Sequence, residues 1–406
     1  MIQQTLPVLL LLAAGLAAAL VAGWRGWAPS LPVALGVGAA LRLPIMLISS
    51  GDPVQPYDLA VDFPNAADAV LGGRDPAVAL GDNRWHFLPF MAYVLAAQKE
   101  AGELLGLSWN VSGRIVPVLA DLALIPLVGK LASEQHRLRA FQYACAPLGL
   151  MVSAIHGQFG PLSLLFAVAA LLVARNGRAH AAGILAGLAV TSTSWTALIV
   201  PGMLLTLPAL RPRLTALAWT AAVPAASLLS SPVLLDTSWH RLPATVMGTL
   251  SARPVVGDWG WTAVATAGHQ QVSPVLGTVG TPVLLAGILV IGWLWRRAEP
   301  DDLTLALILA FLIFTYRFGP QYLLWPMPFL IARSTRWTWP AITAAGLWAG
   351  AAYLHLLRWP NAHQWWALSS LLIIALLIRS LPPRHTARTE PDPSGVPGAG
   401  VERVRR

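Results

Sequence analysis

Six aspartates, Asp52, Asp58, Asp62, Asp68, Asp75 and Asp82, fall between Gly51 and His86 in a chain that is only 11% charged. Carboxylates held beside lipid are costly to desolvate, so such a cluster marks a place where something binds or reacts, or a solvated loop that keeps its charges out of the bilayer. Asp58 and Asp62 stand four residues apart. On a helix that spacing puts both on one face, where one carboxylate accepts a proton and the other orients it. Further polar residues recur beyond the loop: Arg84 and His86, then His156 and Gln158, then Arg317 with Gln321 and Tyr322. A guanidinium grips two phosphate oxygens at once and stays charged, which suits Arg317 to a phosphate, with Arg84, Arg241 and Arg253 in reserve. An arginine at a membrane edge also simply snorkels. His156 and Gln158 offer neutral hydrogen bonds to a polar ligand, or else hold a helix end.

The elements that must position these groups are membrane helices. The chain is 56% hydrophobic with a mean hydropathy of +0.62, and its apolar runs approach the ~20 residues that a ~30 Å hydrocarbon core requires. The expected architecture is all-α and polytopic, with about 11–13 helices and an amphipathic helix on the outer surface after the first acidic loop. Helices are predicted near 5–23, 31–49, 112–132, 139–155, 160–175, 180–194, 196–209, 214–235, 274–295, 302–316, 320–333, 338–356 and 364–380. Several are short, so those around His156, Trp195 and Gln321 are expected to be broken or kinked. Residues 1–30 form an additional N-terminal anchor rather than a cleaved signal, because Met1 to Pro7 carries no basic residue. Residues 31–380 form the main domain with outer loops 51–111 and 236–273, and 381–406 read as a disordered cytoplasmic tail. Trp85 and Phe87 are expected at headgroup level. Gly183 with Gly187 and Gly346 with Gly350 predict close helix approaches.

Basic residues set the orientation. With the aspartate loop outside, inner segments hold eighteen of the twenty-seven Lys and Arg, outer segments eight, and Arg42 lies within a span. The positive-inside rule then puts that loop outside and the C-terminus in the cytoplasm of a multi-pass plasma (inner) membrane protein. The net charge of +9 sits in short inner loops and the tail, which argues against a nucleic-acid partner. One cysteine, Cys145, excludes an internal disulfide and a cysteine metal cluster. No cofactor is indicated, though a divalent metal could visit the carboxylates. Asp121, in mid-helix, would cost about 2.5–3.5 kcal/mol unless paired, and needs a partner such as Arg42. Arg114 lies seven residues earlier, out of direct reach, and joins Arg42 and Asp121 as structural support.

Four segments together resemble the membrane-embedded GT-C-fold glycosyltransferases, particularly polyprenyl-phosphate-sugar-dependent, mannosyltransferase-like members. DLAVDFPNAADAVLGGRDP from Asp58 is similar to their first outer loop, RIVPVLADLALIPLVGKLA from Arg114 to their helix with an internal acid, HGQFGPLSLLF from His156 to their His-Gly-Gln-Phe turn, and FGPQYLLWPMPFL from Phe318 to their late Gln-Tyr-Leu-Leu-Trp helix. The chain departs from that pattern at Gly160, where relatives carry an acid, at Asp62, commonly Tyr, and at Thr191 to Ser194, where a Lys is frequent. The resemblance implies a sugar delivered as a polyprenyl-phosphate donor to a glycan, glycolipid or protein acceptor outside the cytoplasm, with Asp58 as general base, Asp62 beside it, and Arg84, His86, His156, Gln158, Arg317, Gln321 and Tyr322 binding substrate. A transporter or lipid flippase, and a non-catalytic partner in envelope assembly, are the alternatives.

Overall fold

The computed structural model describes residues 2–81, 85, 87–243, 246 and 255–384. Arg84, His86 and Arg253 lie outside the described residues, as does the tail beyond 384. The chain is a helical bundle whose only strands among the described residues are Val255–Val256 and Gln271–Val272, paired antiparallel in one loop. Every stretch predicted helical carries helix. Six helices are long and apolar enough to cross a membrane: Thr5–Arg25, Leu31–Ser50, Trp109–Leu131, Leu210–Leu234, Pro274–Leu294 and Ala362–Arg379. That is the make-up of a multi-pass membrane protein. The other predicted spans are shorter or interrupted, and the chemistry of the interruptions is readable. His136–Ala144 and Pro147–His156 bend by 44°, because Pro147 has no N–H to continue the first segment.

Three breaks fall where the sequence predicts them. A wide helical turn, Met151–His156, ends at Gly157 in the left-handed region (φ 73°); a tight turn, Ser194–Ile199, follows extended Thr193; and another, Pro320–Leu324, precedes Met327–Ala332. A fourth was not expected. Asp58–Asp62 is also a wide turn, in which the Phe63 N–H reaches back to the Asp58 carbonyl, since Pro64, next in line, cannot donate.

Small residues bring helices together as expected. A Cβ added to Gly183 would lie 2.4 Å from the Ala216 carbonyl oxygen, and one on Gly187 2.7 Å from Val223 Cβ, so Ala179–Ser192 packs directly on Leu210–Leu234. The last helix is locked by two indoles. Trp348 and Trp366 stack at 4.0 Å, and each Nε1 donates to the other's carbonyl at 2.9 Å.

A second layer covers one end of the bundle. Phe63–Leu71 lies on Pro89–Leu104, the expected amphipathic helix, around a separate apolar core of Leu59, Phe63, Trp85, Met91, Leu95 and Phe159. Trp85, expected at headgroup level, is turned into the protein: it is 4% exposed and packs edge-on against Phe87 at 5.1 Å, in the apolar core that holds Phe63 and Phe159. Asp75 fastens this layer, accepting from the Ala77 N–H and from the Thr237 hydroxyl at 2.8 Å.

Candidate functional site

All four irregular turns line one pair of cavities. Non-helical backbone inside a membrane protein leaves polar groups unsatisfied, and it persists where it borders a cavity rather than lipid. The first cavity, about 370 Å³, is bordered by Asp58, Asp62, Gln158, Thr193, Arg317 and Gln321, with aromatic walls from Phe63, Trp195, Tyr322 and Trp325. The second, about 480 Å³, is bordered by Asp52, Asp58, Arg114, His156, Asp258 and Tyr353. Asp58, Phe318 and Gln321 belong to both. Both volumes fall within the range of ligand pockets, roughly 300–1,000 Å³.

Asp58 stands at the junction, with its side chain 35% exposed. Its Oδ2 accepts a hydrogen bond from Gln158 Nε2 at 2.7 Å and faces His156 Nε2 at 3.4 Å. The far nitrogen of that ring, Nδ1, meets the Tyr353 hydroxyl at 3.0 Å. An amide and an imidazole thus converge on one carboxylate oxygen beside a cavity, which is the placement of a positioned proton acceptor. Gly157 makes the convergence possible. Its positive φ turns the chain sharply between His156 and Gln158, and a Cβ there would sit 3.0 Å from Arg114 Cγ.

The turn that carries Asp58 is pinned from below. Trp109 Nε1 donates to the Leu59 carbonyl at 2.7 Å. Arg114 is fully buried, donating to the Ile155 carbonyl through Nε at 3.0 Å and to Gln55 Oε1 at 2.6 Å. It thereby joins the Asp58 loop to the His156 turn. Arg114 borders the second cavity and does not touch Asp121, as its spacing predicts.

Asp121 is satisfied deeper in the bundle. Arg42 and Asp121 are both 0% exposed. Arg42 Nε donates to Asp121 Oδ2 at 2.8 Å, Tyr143 donates to Oδ1 at 2.6 Å, and Ser153 donates to Oδ2 at 3.1 Å. The pairing with Arg42 expected from the sequence is present. Ser153 belongs to the turn that ends at His156, so this polar knot also fixes the base of the site.

Arg317, Gln321 and Tyr322 come from the break between Pro300–Phe314 and Met327–Ala332, and all three border the first cavity. Beside them Trp195 and Trp325 stack at 4.1 Å, and Tyr322 continues the stack onto Trp325 at 4.3 Å. Thr193 and Ser194, at one of the departures from the GT-C pattern, border the same cavity and also an apolar cleft of about 220 Å³ lined by Leu88, Val190, Pro224 and Leu228. Gly160 and Asp62, the other departures, border the first cavity as well.

The sequence missed several neighbours. Tyr353 and Gln55 lie far along the chain from their partners and carry no motif; Asp258 and Gln270 sit in the predicted outer loop 236–273 without a motif of their own. Trp259, in the same loop, is wholly buried. It stacks on Phe318 at 3.9 Å and donates to the Leu312 carbonyl at 2.6 Å, bracing the cavity wall. Among the described residues no group of three or more His, Cys, Asp or Glu is placed to hold a metal ion. The chain matches no protein-family model, and no curated protein sequence is significantly similar to it.

Proposed function

We propose that this chain is a membrane glycosyltransferase that moves a sugar, a mannose-like hexose being favoured, from a polyprenyl phosphate to an acceptor hydroxyl on the extracytoplasmic side of the plasma membrane. The observation that carries the proposal is the position of Asp58 on the wall shared by two cavities, one holding Arg317 and the other leading away from it. Two substrates can then meet at one carboxylate. The acceptor oxygen attacks the sugar C1 as Asp58 takes its proton, the bond from C1 to the phosphate oxygen breaks, and polyprenyl phosphate departs with the bonding pair. Arg317 steadies the charge on the leaving phosphate. Trp195, Trp325 and Tyr322 wall the donor side as one mutual stack, and the cleft beyond Thr193 and Ser194 suits a prenyl chain. Asp62 borders the donor side and orients the sugar or the base.

The excess of basic residues in the segments away from Asp58 supports an outward-facing site. That far end is about 24 Å away along the 16-residue helix Gly160–Arg175. There Arg333 grips Asp302 through two nitrogens at 2.8 and 2.7 Å, and Arg175 pairs with Asp301.

A second reading has its own support: transporters also bind cargo where helices are broken around a cavity. One assay separates the two, with a purely structural envelope partner as the remaining outcome. Membranes containing the protein are given radiolabelled polyprenyl-phosphate mannose and a mixture of acceptors. Glycosyl transfer by the native chain and its loss in Asp58→Asn are expected; label that crosses the membrane still attached to its lipid, without new glycoside, would point to transport, and neither event to assembly alone.

A further inference from the structure

Beyond Asp58 the second cavity opens into a third of about 450 Å³, and the two share Asp258, Gln270, Pro320, Ala352 and His355. The third ends among Arg358, His363 and Trp366. Adjoining along this shared wall, the two make a passage of mixed polar and apolar lining that runs from the junction carboxylate toward Arg358, His363 and Trp366.

Its walls come from three separate parts of the chain. Asp258 precedes the short helix Gly260–Ala265, Gln270 precedes the strand Gln271–Val272, His355 follows Thr338–Tyr353, and His363 lies in Ala362–Arg379. They nevertheless converge. Gln270 Nε2 donates to Asp258 Oδ2 at 2.6 Å, while His363 Nε2 stands 3.3 Å from Asp258 Oδ1. His363 also lies against Trp366, ring centres 5.3 Å apart. His355 holds a left-handed backbone conformation, φ 52°, a strained state for a residue with a side chain, which persists where surrounding structure enforces it.

We propose that this passage is the acceptor route, and that the acceptor is an oligosaccharide whose terminal hydroxyl reaches Asp58 while the sugar units behind it lie along Asp258, Gln270, His355 and His363. The inference rests on the glycosyl-transfer reading above. A carboxylate hydrogen-bonded to an amide, flanked by imidazoles and backed by an indole face, matches a ligand that alternates hydroxyl groups with apolar C–H faces. A polypeptide acceptor would instead need an extended strand edge, and the only strand pair described here is two residues long on each side. A lipid-chain acceptor would need a predominantly apolar cleft, and the one beyond Thr193 and Ser194 adjoins the first cavity instead.

The test uses the full chain in membranes with radiolabelled polyprenyl-phosphate mannose and, separately, a soluble mannose trisaccharide, a Ser/Thr-rich peptide and an alkyl mannoside. Transfer to the trisaccharide is expected, and Asp258→Asn and Gln270→Ala should each raise the trisaccharide KM about ten-fold, the effect of losing one hydrogen bond to a charged or amide group, with donor KM moving less than about two-fold. Asp258→Asn keeps the shape of the side chain, so a folding defect is not the expected cause; the unchanged donor KM reports that directly. Hydrogen exchange of the purified protein with unlabelled trisaccharide gives a second readout that needs no turnover: segments 255–272 and 352–366 should gain protection. Transfer to the peptide or alkyl mannoside alone, or transfer to the trisaccharide with the same acceptor KM in both variants, overturns the acceptor route while leaving glycosyl transfer standing. Protection of those segments without any transfer keeps the oligosaccharide site and removes the transferase reading. Neither transfer nor protection removes both.

Discussion

Replacing Asp121 by Asn keeps the shape of the side chain and removes the charge that Arg42 was folded around. The structure lets the cost be worked out. Asp121 accepts from Arg42 Nε at 2.8 Å, from Tyr143 at 2.6 Å and from Ser153 at 3.1 Å, with Arg42 Nη2 a further 2.8 Å contact. Both ions are fully buried, so the guanidinium left behind has no water to turn to. Breaking one half of such a pair costs about 3–5 kcal/mol, whereas replacing both halves with apolar groups is often neutral or favourable. An asparagine must also turn its NH2 toward either the Arg42 cation or the Tyr143 hydroxyl, losing one of those bonds. Asp121→Asn, Asp121→Leu and Arg42→Met should therefore each lower unfolding free energy by about 3–5 kcal/mol, and the double variant Arg42→Met with Asp121→Leu should recover most of that loss. The assay is denaturant unfolding of protein purified in mild detergent, followed by tryptophan fluorescence, with a double-mutant cycle to extract the coupling. Because Ser153 ties the knot to the turn ending at His156, the single variants should also lose activity. Single variants as stable as the native chain would refute the burial and the pairing together, and additive single and double losses would refute the coupling.

Other expectations concern the site. Asp58→Asn should lower the transfer rate by about 10²- to 10⁴-fold, the usual worth of a positioned general base, with normal expression and fold; a native rate in the membrane assay would remove Asp58 from that role. Arg317→Ala should raise donor KM by roughly ten-fold or more, as loss of a charge-assisted hydrogen bond does, and an unaltered donor dependence would count against phosphate binding. Gly157→Ala should destabilise by about 1–2 kcal/mol from the left-handed backbone alone, with more from contact with Arg114, so it should unfold at lower denaturant; equal midpoints would show that the turn relaxes freely. Burial lifts the Asp258 carboxyl above the ordinary carboxylate range, against the opposing pull of Gln270 and His363. A raised acid favours folding once it is protonated and disfavours it as pH rises through the raised value, so the native chain should gain stability relative to Asp258→Asn as pH falls from neutral toward the usual carboxylate range. Parallel melts across that interval check the sign, and a constant gap would contradict it.

How much of this was legible beforehand follows from the range of each interaction. Apolar runs and prolines act locally, so the helices and the breaks at His156, Trp195 and Gln321 could be read from the sequence. The pairing of Arg42 with Asp121 was also legible, because two charges in apolar helices have few other partners. The wide turn at Asp58 was harder to see, since it depends on one missing N–H at Pro64 in a segment that otherwise reads as ordinary helix. Tyr353 was invisible for another reason. It reaches His156 from 197 residues away, and a tyrosine near a helix end says nothing of what it will face. The burial of Trp85 was not legible, because the apolar core that encloses it includes Phe63 and Phe159, distant in the chain.

The reciprocal clasp of Trp348 and Trp366 has a consequence for biosynthesis. The helix that supplies His363 to the passage follows every other described helix in chain order, and two mutual indole-to-carbonyl bonds hold it down. Until it docks, the opening has only part of its wall, so premature termination anywhere before Ala362 should yield a chain that inserts into the bilayer yet has no finished doorway.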